Sequence, residues 1–235
     1  MTNQEVLQQL TSKRDIVFKR LSAKPLSGFF ADEYNSLLSG ETFQMGDDKD
    51  EALNNLKKHQ DDKTQDIVFT QKVNSVNRLS ESEIIDGFSQ SWKLAFNTVS
   101  DNDLRTPMYA ALLNYDAYDL PAENNLTFFG NTEFPELSVP QYLPPSLYET
   151  KVISLENVFD FSPAWPDCEE FDWTTEFIEV YFELQTLFKL HSRILLHKAL
   201  ARMDENGSLA SLQQRPFRFY IAEHDMEAGM LYTLK

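Results

Sequence analysis

The sequence predicts an α+β protein, predominantly helical around one long helix at about 174–203, with a small antiparallel sheet that includes a C-terminal hairpin. Three observations carry this. Residues 174–203, TTEFIEVYFELQTLFKLHSRILLHKALARM, contain neither Gly nor Pro. They place Phe177, Val180, Leu184, Leu187, Leu195 and Ala199 along one helical stripe. Near the N-terminus, apolar residues recur with the same period behind helix-start signals. Phe217 to Ala222 and Met230 to Leu234 are short runs of strand-forming residues on either side of a polar turn.

Taken in order, Thr2-x-x-Glu5 has the form of a capping box, and Val6, Leu10, Val17 and Leu21 suit one face of the helix that follows. Pro25 ends it. A second helix is expected over Phe29 to Leu38, with Gly40 as its stop signal. Residues 40–65 are highly charged and read as a linker carrying one short exposed helix. Asp66 to Val73, DIVFTQKV, is rich in β-branched residues and is expected to be a strand. Ser80 starts another capping signature for a helix to about Val99, and Thr106-Pro107 is expected to open a further helix with Met108, Ala111 and Leu112 inward.

Seven of the ten prolines then fall between Pro121 and Pro166, with plausible short strands at 126–129 and 151–155. In the long helix, Glu176, Glu179 and Glu183 precede Arg193, His197, Lys198 and Arg202, an order that complements the helix dipole. Ile178, Tyr181, Phe182, Phe188, Leu190 and Leu196 lie off its main stripe, so the helix is expected to be covered on more than one side. The chain thus divides into an N-terminal helical segment at 1–39, a charged linker at 40–65 and a main α+β domain at 66–235.

Composition narrows the functional classes. The 235 residues are 42% hydrophobic, enough to build a packed core. No run approaches the ~18 apolar residues of a membrane span. The opening MTNQEVLQQL lacks the apolar stretch of a secretory signal. With Cys168 the single cysteine, an intrachain disulfide and a multi-cysteine zinc site are both excluded. The expectation is a cytoplasmic protein, without cofactor and away from membranes.

The net charge of −16 is concentrated: residues 101–180 hold 16 acidic and 2 basic side chains. Such a field repels phosphate backbones, which argues against nucleic acid, and attracts a basic protein. The same region is aromatic. Trp165 and Trp173 flank Asp167, Glu169, Glu170 and Asp172, a composition suited to gripping Lys or Arg through cation–π contacts and ion pairs. These six residues form the candidate partner-binding set. Ordinary packing of aromatics under a loop is the plainer account of them.

Catalytic templates are missing. No G-x-x-x-x-G-K-[ST], G-x-G-x-x-G or G-x-S-x-G occurs, and only 7 glycines are present for loops that need close backbone approach. The carboxylates around Cys168 disfavour its thiolate. Of the four histidines, His59 falls in the charged linker, where it is expected to be solvated. His191 and His197 are six apart and do not make an i, i+4 zinc pair. His191 lies near the apolar stripe and is expected to be buried. Glu223, His224, Asp225 and Glu227 form the densest set of acid/base groups, with His191 as a possible neighbour. A hairpin turn collects such residues anyway.

The leading expectation is therefore a non-enzymatic protein that binds a basic partner through its acidic aromatic region, as an inhibitor, an immunity-type neutraliser or an assembly factor. The alternatives are a hydrolase or metal-dependent enzyme centred on His224, and a structural subunit of an oligomer. The sequence leaves the oligomeric state open.

Overall fold

A computed structural model describes residues 1–40, 49–61, 63–77, 82, 85–86, 89, 109–114, 125–129, 175–212, 215–222 and 229–235. Among them are five helices, α1 (Asn3–Leu21), α2 (Leu26–Ser39), α3 (Lys49–Asp61), α4 (Thr64–Ser75) and α5 (Thr175–Glu205). Four strands, β1 (Ala110–Asn114), β2 (Asn125–Phe129), β3 (Phe217–Ala222) and β4 (Gly229–Leu234), complete the set. The fold is α+β and mainly helical, as expected. The chain forms two compact units, neither of them a continuous stretch. One gathers Met1–Thr11, Ser80–Asn157 and His191–Lys235; the other gathers Ser12–Leu79 and Val158–Leu190.

The start of α1 is the predicted capping box. The Glu5 N–H donates to Thr2 Oγ1 at 3.2 Å, and the Thr2 N–H donates to Glu5 Oε2 at 2.7 Å. Two helices close on a glycine of positive φ, the first of them the expected Gly40. Gly40 takes φ 77° after α2 and donates its N–H to the Ser36 carbonyl. After α5, Gly207 takes φ 76°, its N–H reaches the Asp204 carbonyl at 3.1 Å, and the Ser208 N–H reaches Met203 at 2.9 Å. That pair of bonds is a Schellman closure, which satisfies carbonyls the helix itself leaves unpaired.

In the helical unit, Phe29 of α2 meets Phe69 of α4 edge-on, with ring centroids 6.0 Å apart. Lys24 lies over the Phe29 ring at 4.2 Å and pairs with Asp32. The α2 N-terminus has no side-chain cap of its own, because Pro25 stands at that position. Asp66 of α4 substitutes for one: its carboxylate accepts from the Ser27 N–H at 2.8 Å and from the Ser27 hydroxyl at 2.7 Å.

Two helix and strand expectations are corrected here. DIVFTQKV is not a strand but most of α4. Phe69, Val73 and Val76 are buried while Ile67 is exposed. A strand would have put Ile67 on the same face as Phe69 and Val73; a helix does not. Packing of Phe69 against α2 has overridden β-branched propensity. Conversely, Ala111 and Leu112, expected on a helix, belong to β1. Residues 110–113 are buried without any alternation, a pattern that a covered strand shares with a buried helix.

Within 40–65, α3 forms as a short helix, yet Ala52 and Leu56 are buried, so one side of it is covered rather than exposed. His59 is likewise not simply solvated: its ring lies 5.4 Å from that of Phe30.

The sheet belongs to the other unit, in the order β2-β1-β3-β4. The C-terminal hairpin is β3 and β4, antiparallel, with a register shift between Phe219 and Tyr220. β1 pairs antiparallel with β2 but parallel with β3, aligning Ala111 with Phe219 and Leu113 with Ile221. The sheet is therefore mixed rather than wholly antiparallel. A parallel neighbour needs a crossover, and the chain between β1 and β3 includes the long helix α5.

Along α5 itself, Val180, Leu184, Leu187, Leu195 and Ala199 are buried, as the stripe requires. Phe188, Leu190 and Leu196 are buried as well, so more than one side of the helix is covered. Among the off-stripe side chains that are described, Phe182 is the exception, exposed at the surface.

Candidate functional site

The polar groups that the described structure brings together lie where α5 meets the first turn of α1 and the outer strand β4. The sequence builds this place in three steps. The capping box fixes the first turn of α1 and so positions Asn3. The apolar residues on either side of His197 in α5 bury it with them, leaving the residue 4% exposed. Strand alternation then turns the backbone polar groups of Thr233 outward at the sheet edge.

Asn3 serves both partners. Its side-chain Nδ2 donates to the Thr233 carbonyl at 2.9 Å, and the Thr233 N–H donates to Asn3 Oδ1 at 2.8 Å. One amide thus replaces the neighbour strand that β4 lacks at this residue. On the main-chain side, His197 Nε2 donates to the Asn3 carbonyl at 3.0 Å. A carbonyl only accepts, so the neutral ring carries its proton on Nε2. Nδ1 is buried and meets no hydrogen-bond partner among the described residues. The His197 ring stands edge-on to Tyr232, centroids 5.2 Å apart, and the Tyr232 hydroxyl donates to Asp204 Oδ2 at 3.0 Å.

The electrostatics follow from this geometry. Burial holds the His197 imidazole below its ordinary pKa, with the Asn3 carbonyl acting in the opposite sense. Burial, assisted by the bond to Asp204, pushes the Tyr232 phenol up to about 12. The Thr2 N–H and then its hydroxyl hold the Glu5 carboxylate below its usual value. The cluster therefore presents a neutral imidazole, a phenol that keeps its proton and an exposed carboxylate. That arrangement ties α1, α5 and β4 together.

The candidate residues read from the sequence fall elsewhere. His191 is in α5, 2% exposed, as its neighbours on the stripe imply. His224, Glu223, Asp225 and Glu227 lie outside the described residues, as do Trp165, Asp167, Glu169, Glu170, Asp172 and Trp173. Met108, the strand expected at 151–155 and most of the helix expected from Ser80 lie outside them too. Among the described residues, no group of three or more His, Cys, Asp or Glu is placed to hold a metal ion. Sequence reasoning passed over Asn3 and Tyr232 and counted His197 among the basic residues that complement the helix dipole, whereas burial favours its neutral form. Available signals were the position of Asn3 just inside a capping box and the apolar residues on both sides of His197.

No family model, curated protein or solved structure matches the chain. Among the described residues, no helix is long and apolar enough to cross a membrane.

Proposed function

We propose that this is a non-enzymatic cytoplasmic protein that binds a basic protein partner through the acidic, aromatic region between about 101 and 180. The observation that carries the reading is the charge distribution: 16 acidic against 2 basic side chains in that region, within a chain of net charge −16. A field of one sign accelerates encounter with a partner of the other sign and disfavours like-charged competitors. Trp165 and Trp173, set among Asp167, Glu169, Glu170 and Asp172, supply anchors for Lys and Arg side chains. The absence of phosphate-cradling and nucleophile-elbow motifs from the sequence supports a binding role over catalysis. An inhibitor, an immunity-type neutraliser and an assembly factor all share this chemistry.

The test is binding kinetics against a basic protein recovered with this chain from its native cells, with an unrelated basic protein as control. Changing Glu169, Glu170 and Asp172 together to their amides is expected to slow association and flatten its salt dependence. Trp165→Ala is expected to speed dissociation instead, as loss of a buried aromatic anchor does. His224→Ala is expected to leave both rates alone. Unchanged association and salt dependence in the triple variant would sink the proposal.

A further inference from the structure

We infer that mild acid releases the N-terminal turn from the sheet edge, with His197 as the group that takes up the proton. A second proton on the ring has one place to go. Nε2 already carries one and spends it on the Asn3 carbonyl. The vacant position is Nδ1, which is buried and has no acceptor among the described residues. A proton added there creates a buried positive charge with an unsatisfied N–H. Relief requires the ring to turn or the cover to lift, and either movement breaks the bond to Asn3. Asn3 is also the residue whose amide closes the β4 edge at Thr233, so the two contacts loosen together.

Among the described residues, the groups around the ring do not offset that charge. From α1 it meets the Asn3 carbonyl; the charged groups of that turn are the Met1 amine and Glu5, and the Glu5 carboxylate is engaged by Thr2. From β4 it meets the Tyr232 ring, whose hydroxyl is turned to Asp204. On α5, Asp204 is two turns further on, ~10 Å along the axis. Lys198, Arg193 and Arg202 carry the same sign as an imidazolium, and Arg202 pairs with Asp86 at 2.5 Å.

The direction of the effect is fixed by linkage. A histidine buried in its neutral form has a folded-state pKa below the ordinary 6.5. Above pH 6.5 its contribution to docking is fully present. Below 6.5 the released state binds the proton more readily, so docking weakens as the pH falls toward the folded-state pKa. Glu5 acts in a separate and lower window, since its carboxylate titrates below 4.5.

Amide hydrogen exchange between pH 7.5 and 4 tests this on the full chain. The protection factor of the Thr233 amide, corrected for intrinsic exchange, is expected to hold steady above pH 6.5 and to fall by roughly fivefold or more by pH 5. Amides of Leu112 and Leu113 in β1 report the sheet interior and are expected to change less. His197→Gln keeps an N–H near the Nε2 position without a titrating group, and it is expected to abolish the fall. Protection that stays flat in the unaltered protein overturns the inference, and so does an equal fall in the variant. Should the variant fail to fold, the onset in the unaltered protein decides: a loss that begins only below pH 4.5, where carboxylates titrate, also overturns it.

Discussion

Replacing Asn3 by alanine removes both hydrogen bonds to Thr233 at once and leaves the backbone groups of that residue without their partner. Each such bond contributes ~0.5–1.5 kcal/mol net, so Asn3→Ala is expected to destabilise the protein by ~1–3 kcal/mol in chemical denaturation. Aspartate would keep the acceptor for the Thr233 N–H but lose the donor to its carbonyl, and is expected to fall between the two. Tyr232 gives a prediction at the alkaline end. Its phenol ionises at about 12 in the folded chain against an ordinary 10. Between those values the unfolded chain has already lost the proton that the folded chain retains, so stability falls as the pH rises from 10 toward 12. Tyr232→Phe removes this contribution. Its denaturation midpoint is expected to decline less over that span than that of the unaltered protein.

At the scale of elements, α5 and α4 show what a sequence reveals and what it hides. The extent and the buried stripe of α5 are legible in the sequence because its pattern runs for eight turns, long enough for the period to be unambiguous. Leu184→Ala and Leu187→Ala are each expected to cost ~2–5 kcal/mol, seen as a lowered denaturation midpoint, because both side chains are fully buried. The C-terminal hairpin was readable from its two short runs and the polar turn. Local sequence points the wrong way for α4 and β1: α4 carries β-branched residues that favour a strand, and β1 is a short, wholly buried run whose pattern a helix shares. What decided α4 was Phe69 against Phe29 and Asp66 at the start of α2, neither of which leaves a mark in local sequence. Asp66→Ala is accordingly expected to cost ~1–3 kcal/mol through a contact between two helices, by stranding the Ser27 N–H and hydroxyl. Asn3 and His197 were hidden for the same reason: 194 residues separate them, and only the folded chain joins them.

At the scale of the molecule, the charge of the acidic region is readable to the residue, whereas its folded arrangement lies outside the described residues. On the proposed reading these carboxylates form a solvent-facing binding surface, and such groups add little to folding, so the amide triple variant of Glu169, Glu170 and Asp172 is expected to match the unaltered protein within ~0.5 kcal/mol while its association slows. The interleaving of the two units has a further consequence for biosynthesis. The helical unit draws its last segment from residues up to Leu190, and the sheet unit draws on both Met1–Thr11 and His191–Lys235. Asn3 and Thr233 are separated by 230 positions. At a synthesis rate of ~5–20 residues per second, the first turn of α1 waits roughly 10 to 50 s after emerging before the strand it fastens has been made. During that interval β1 also lacks its parallel neighbour β3. A ribosome stalled after α5 holds a chain with all five described helices and two of the four described strands, β1 paired along its β2 edge and bare along the edge that β3 will take.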